Sequence, residues 1–227
     1  MQDIRPVVWG DGKIRLLDQT TLPLKETEVV CEKVDTLVDA IERLVVRGAP
    51  ALGVVGGYGV ALAITQGAKE GWDDNQLHEQ ILRIRNARPT AVNLAWGVDQ
   101  VIDSVGEGIE RVLELGHKLA AEDEQANRQL SKHGADWILK ATGKSKLRAL
   151  THCNTGSLAT STWGTALGII RELHSRGAIE IVYADETRPL LQGSRLTAWE
   201  LNKDGMNYLV QADGAAASTI MRGLVDF

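Results

Sequence analysis

Cys153 is the residue best suited to chemistry in this 227-residue chain. It lies in THCNTGS, just past the predicted strand Leu147-Arg148-Ala149-Leu150-Thr151. Ligands of open α/β sheets bind beyond the carboxyl ends of the strands. Gly156 lets the backbone approach a ligand closely, and the N–H groups that follow can bind an anion. A thiol beside such groups can act as a base or nucleophile. An inert buried cysteine is the alternative, and position alone leaves both readings open. His152 is next in sequence, but strand neighbours point to opposite faces, so no Cys–His pair is inferred. Arg47-Gly48-Ala49-Pro50 sets an arginine before a helix start that carries a proline, and Arg88, in NARPT, sits beside a proline at a helix boundary. Two such arginines, with free N–H groups at a helix start, can clamp one phosphate. Each can equally cap a helix C-terminus, and from these short motifs alone capping is preferred. A third cluster, Asp185-Glu186-Thr187-Arg188-Pro189 with Gln192-Gly193, follows the second predicted strand and should share an edge with Cys153. It reads as a sugar or phosphate contact, or as turn chemistry. Asp213 reads as a similarly placed group or as the N-cap of the last helix.

The elements that hold these residues fall into two sets. Val7-Val8-Trp9 and Ile14 to Leu17 flank Gly10-Asp11-Gly12 and predict a β-hairpin. A strand near Thr27 to Cys31 follows, with Cys31 in the core. Asp35 reads as the N-cap of a helix that ends near Arg47-Gly48, because Pro50 disfavours helical geometry at Ala49. Gly48 to Ala68 carries no formal charge and is rich in glycine. It predicts a buried helix of small residues rather than a membrane span, and its glycines lack the GxGxxG order of a dinucleotide turn. Residues 91–139 read as mostly helical, with the polar run from Ala120 to Lys132 as a solvated face. From Lys146 the pattern changes. Strands at 147–151, 179–183 and 207–210 alternate with helices at 164–175, 194–203 and 215–224, which predicts a parallel α/β sheet. The expected organisation is an N-terminal domain, 1–140, of a small β-sheet plus helices, then a Rossmann-like domain, 141–227. The second domain is expected to be incomplete, with a fourth strand wanting after Phe227 and an open edge beside Asn207 to Val210.

The net charge of −5 argues against a broad nucleic-acid surface, so an anionic ligand needs a local arginine cluster. The two cysteines show no disulfide, redox or zinc spacing, and no cofactor or metal motif is visible. The start, MQDIRPVVWGDGK, lacks the apolar core of a signal peptide. A cytoplasmic setting is expected.

Five segments in order resemble the methylthioribose-1-phosphate isomerase family of methionine salvage. They are LLDQTTLP, VVRGAPALGVVGGYGVALA, NARPTAVNLAWGV, LTHCNTGSLAT with GTALGIIRELHSRG, and ADETRPLLQGSRLTAWEL. The resemblance implies Cys153 as the catalytic cysteine and Arg47, Gly48, Ala49, Arg88 and Gln192 as substrate contacts. It implies a phosphorylated sugar substrate, a homodimer, and a reaction that needs no metal or cofactor. In that reaction an acid protonates the ring oxygen while Cys153 removes the C2 proton, or Cys153 serves a hydride shift. The family's catalytic aspartate lies in a GADR-type motif followed by an Asn-Lys pair. Neither occurs here, so the chain is expected to stop short of the family's C-terminal third, which a separate polypeptide could supply. Within the superfamily, the rival expectations are a ribose-1,5-bisphosphate isomerase and a non-catalytic regulatory protein like those of initiation factor 2B. The LLDQTTLP start favours methylthioribose over a bisphosphate, and the intact CNTG loop argues against a regulator.

Overall fold

The computed structural model describes residues 3–227; Met1 and Gln2, at the start discussed above, lie outside the described residues. The first sheet is antiparallel, in the order β1 (Val7–Gly10), β2 (Lys13–Leu17), β3 (Glu28–Cys31). Asp11 and Gly12 both have positive φ, 54° and 72°, the twist that a two-residue hairpin turn requires. Period-2 burial on β2 places Ile14 and Leu16 in the core, where Cys31 also lies fully buried.

Helix α1 (Val34–Glu42) ends five residues before the predicted Arg47, and Lys33, not Asp35, is its N-cap. Leu44 takes a left-handed φ of 64°, and the chain reverses through 43–48 in non-helical conformation. That reversal lets Val45 offer its carbonyl to Gln19 N–H at 3.0 Å. Tertiary pairing here overrides a helix-compatible sequence. Helix α2 (Ala49–Glu70) carries Pro50 in its first turn and is buried along most of its length. Its small residues admit α4 (Val92–Asp99) and α5 (Ile109–Thr142) at close range. Between them, α3 (Asp74–Asn86) opens on a complete capping box formed by Asp73 and Gln76. The polar run on α5 is not wholly solvated. Asp123, Asn127 and Ser131, spaced by four, turn inward; Asp123 accepts from Ser161 N–H at 2.7 Å and Ser131 accepts from the Trp163 indole at 3.0 Å.

The second sheet is parallel, in the order β4 (Leu147–Thr151), β5 (Ile179–Asp185), β6 (Tyr208–Gln211). Helices α6 (Ala166–Ser175), α7 (Ala198–Lys203) and α8 (Ala216–Met221) alternate with these strands. A π-helical turn, Gly193–Thr197, leads into α7. β6 is one edge of the sheet, as expected. After α8, however, the chain returns to the opposite edge. Asp226 N–H donates to Arg148 C=O at 2.7 Å and Leu150 N–H to Phe227 C=O at 2.9 Å, so these residues lie along β4. Among the described residues, β4 thus carries the returning residues 226–227 on its outer side, and β6 has no strand beyond it. A small cluster of Leu22, Leu158, Leu196 and Trp199 joins the N-terminal loop to the second sheet's helices.

Candidate active site

β4 delivers Cys153 to the carboxyl edge of the parallel sheet. Its backbone is held in the left-handed region, φ 67°, unusual for a residue with a Cβ. Two threonines hold that conformation from either side. Cys153 N–H donates to Thr187 Oγ1 at 2.8 Å, and Thr197 Oγ1 donates to Cys153 C=O at 2.5 Å. Thr187 and Leu191 are also left-handed, with φ of 59° and 56°. Such strain gathers where surrounding structure fixes a functional geometry.

The loop after Cys153 rests on a buried carboxylate. Glu200, fully buried, accepts from Ser157 N–H at 2.7 Å and Leu158 N–H at 3.3 Å. A Cβ at position 156 would land on the Glu200 carboxyl group, so glycine is required there. Arg171, itself buried, lies 4.0 Å from Glu200, pairs with Asp204 at 2.5 Å, and donates to Ser157 Oγ and to Trp163 C=O. Burial pushes the Glu200 carboxyl up to about 7, against the opposing pull of Arg171 and the two N–H donors.

Arg47 and Arg88 converge, although 41 positions of sequence separate them (88 − 47). Both line one cavity of about 350 Å³, together with Gly48, Ala49 and Asn93. Arg47 lies in the non-helical segment between α1 and α2, four residues past the α1 C-cap at Arg43. Burial lowers its affinity for a proton, Cys153 opposes this, and the neighbouring Arg195 and Arg88 add to it. Arg88 has a buried Nη1 with no hydrogen-bond partner. The first N–H groups of α2 lack intrahelical acceptors by helix geometry. A Cβ at Gly48 would fall on the Ala159 backbone, and its φ of 97° also requires glycine. The capping alternative thus fails for Arg47, and the orphaned donor of Arg88 awaits an acceptor. Gln192 precedes the π-helical turn, and its buried Oε1 is likewise without a partner.

The Asp185 cluster divides between the two expected roles. His152 Nδ1 lies 3.0 Å from Asp185 Oδ2, and Asp185 Oδ1 accepts from Gln211 at 2.8 Å. Asp213 does not N-cap the last helix; its carboxylate takes the N–H groups of Thr187 and Arg188, each at 2.8 Å. His152, Asp185 and Asp213 each bring one potential metal-ligating atom within 4.8 Å of the others. Of these, the Asp213 carboxylate already holds the turn that carries Thr187, and the Asp185 carboxylate is engaged by His152 and Gln211. Gln19, Thr197 and Glu200 were not singled out from the sequence, and only LLDQTTLP and LTAWEL, as segments, marked their neighbourhoods; Thr187 was named within the Asp185 cluster, but as a ligand contact or turn residue rather than as a support for Cys153.

The chain is thus a mixed α/β protein in which Arg47 and Arg88 share a cavity at the start of α2, and Cys153, at the carboxyl edge of the parallel sheet, lies near enough to act on Arg47. The sequence profile of the Initiation factor 2 subunit family matches residues 45–227, and the chain belongs to that family. Its relatives include a probable bifunctional methylthioribose-1-phosphate isomerase/methylthioribulose-1-phosphate dehydratase from Nocardia farcinica, 45% identical over 99% of this chain and 41% of that protein. The crystal structure of 5-methylthioribose 1-phosphate isomerase from Pyrococcus horikoshii superposes with a TM-score of 0.84 at 33% identity, over 97% of this chain and 63% of that one. The translation initiation factor eIF-2B subunit delta of A. fulgidus gives a TM-score of 0.83 at 39% identity, over 98% and 66%. The chain therefore spans less than two thirds of the length of each of these relatives.

Proposed function

We propose that this chain carries the phosphate-binding and proton-abstracting parts of an isomerase that converts 5-methylthioribose 1-phosphate to 5-methylthioribulose 1-phosphate. The observation that carries the reading is the single cavity shared by Arg47 and Arg88, with a buried Arg88 Nη1 that has no partner and with the Cys153 thiol near enough to act on Arg47. The names of the isomerase relatives support the substrate. On this reading residues 1–140 supply the arginines and residues 141–227 supply the thiol.

The chemistry follows from the substrate. Its phosphate occupies the anomeric oxygen, so the ring cannot open to a free aldehyde. The Cys153 thiolate removes the C2 proton, the electron pair forms the C1–C2 double bond, and the C1–ring oxygen bond breaks as that oxygen is protonated. The resulting enol phosphate then loses its C2 hydroxyl proton and gains one at C1, giving the ketose. Arg47, Arg88 and the α2 N-terminus hold the phosphate, with Gly48 and Ala49 providing close backbone approach. Gln192 contacts a sugar hydroxyl. The ring-oxygen acid is assigned to the aspartate of the GADR-type motif, which this sequence does not contain. The resemblance extends the proposal to a cytoplasmic homodimer.

Thiol protection tests the reading on the chain itself. Cys31 is fully buried and its thiol is pushed up to about 12, so a small alkylating reagent should report Cys153 alone. 5-Methylthioribose 1-phosphate should slow that alkylation, and Arg88→Ala should abolish the protection. Alkylation unaffected by millimolar sugar phosphate would overturn the proposal.

A further inference from the structure

A second recess, of about 250 Å³, adjoins the phosphate cavity and shares Arg47 with it. Gln19, Thr20, Arg43, Leu44, Leu190 and Arg195 complete its lining. Gln19 is only 1% exposed, and its polar groups are accounted for with one exception. Its N–H donates to Val45 C=O at 3.0 Å, its C=O accepts from Arg195 at 3.1 Å, and its Nε2 donates to Leu158 C=O at 2.8 Å. Oε1 is buried and has no partner. Rotating the amide would not cure this, because Oε1 would then face the Leu158 carbonyl, acceptor against acceptor. The side chain is therefore locked with an acceptor left over.

The surrounding arginines do not make the recess a second phosphate site. Arg195 is committed to three carbonyls, those of Leu190, Gln19 and Leu22, at 3.0–3.1 Å. Arg43 pairs with Asp39 at 2.7 Å. A phosphate group at neutral pH offers mainly acceptor oxygens, which an uncompensated amide oxygen repels. A hydroxyl offers the donor that Oε1 lacks.

We propose that this recess binds the hydroxylated, non-phosphorylated portion of a sugar monophosphate, with Gln19 Oε1 accepting a hydrogen bond from one sugar hydroxyl. Gln19 is thus a specificity residue that favours a monophosphate over a bisphosphate. The proposal rests on the phosphate site described above and names what lies beside it.

The test uses Cys153 alkylation in the whole chain, with inorganic phosphate and ribose 1-phosphate as protecting ligands, on wild type and Gln19→Met. Losing one neutral hydrogen bond should weaken protection by ribose 1-phosphate about tenfold. Each protection is taken relative to that protein's own rate without ligand, and the ratio of ribose 1-phosphate to inorganic phosphate protection should fall by that factor. Equal protection by ribose 1-phosphate in both proteins overturns the inference and leaves the phosphate site standing. No protection of wild type by either ligand removes the phosphate site and this inference with it. Should Gln19→Met fail to fold, wild type is titrated with ribose 1-phosphate and its 2-deoxy and 3-deoxy analogues. One deoxy sugar must then lose the same factor, and equal affinity for all three overturns the inference.

Discussion

Glu200 offers a quantitative test of how the Cys153 loop is supported. Its carboxyl is fully buried and lies under the loop, receiving Ser157 and Leu158 N–H. Burial raises it from 4.5 to about 7. An acid with a raised native value binds more protons folded than unfolded between those two pH values. Its contribution is fully present below about pH 4.5, declines as pH rises, and is lost above about pH 7. The difference corresponds to about 3 kcal/mol, at roughly 1.4 kcal/mol per pH unit. Glu200→Gln is nearly isosteric, keeps one acceptor oxygen for Ser157 or Leu158, and does not titrate. Urea denaturation of both proteins at intervals from pH 4.5 to 7.5 gives the stability difference as a function of pH. Every other titrating group cancels to first order. The wild type should lose about 3 kcal/mol relative to the variant across this range. Parallel stability profiles would refute the argument, and would mean that Arg171 and the two N–H donors outweigh burial and keep Glu200 ionised throughout.

Two further outcomes follow from backbone geometry. At position 153 the left-handed φ of 67° penalises any side chain, so Cys153→Gly should be more stable than Cys153→Ala by about 1 kcal/mol in urea denaturation, and equal stability would deny the strain. At position 48 a methyl group meets the Ala159 backbone and φ is 97°, so Gly48→Ala should cost more than about 2 kcal/mol and weaken phosphate protection of Cys153; a neutral substitution would show that the 47–49 segment does not hold this path.

Some of this geometry was visible in the sequence because its cause is local. The hairpin follows from Gly10-Asp11-Gly12 between short apolar runs, and the parallel sheet from strands alternating with helices. Local signals also existed for α3, whose Asp73–Gln76 capping box marks its start, although no helix was predicted there. Elsewhere local signals misled. Pro50 placed the end of α1 too late, since the reversal at Leu44 depends on the N-terminal loop docking through Gln19. The polar run on α5 reads as surface, yet Asp123 reaches the backbone of Ser161, a partner 38 residues away in sequence.

The site shows the same division more sharply. Cys153, Arg47, Arg88 and Gln192 could be proposed from the sequence because a thiol, two arginines and an amide stand within a few residues of glycine or proline in predicted loops. Glu200 is not, because a glutamate in LTAWEL looks like any exposed helical charge. Its role arises only when the 3D structure removes water from it and supplies two loop N–H groups and a buried arginine. The same holds for Thr187 and Thr197, ordinary residues until Cys153 is placed between their hydroxyls. Groups suited to chemistry can therefore be proposed from residue type. Groups that fix the geometry must be found from burial and hydrogen bonding, because any polar side chain of suitable length can serve. This explains why Gln19 emerged from a missing partner rather than from a motif: a 1% exposed amide with one unmet acceptor is informative only after its other partners are known.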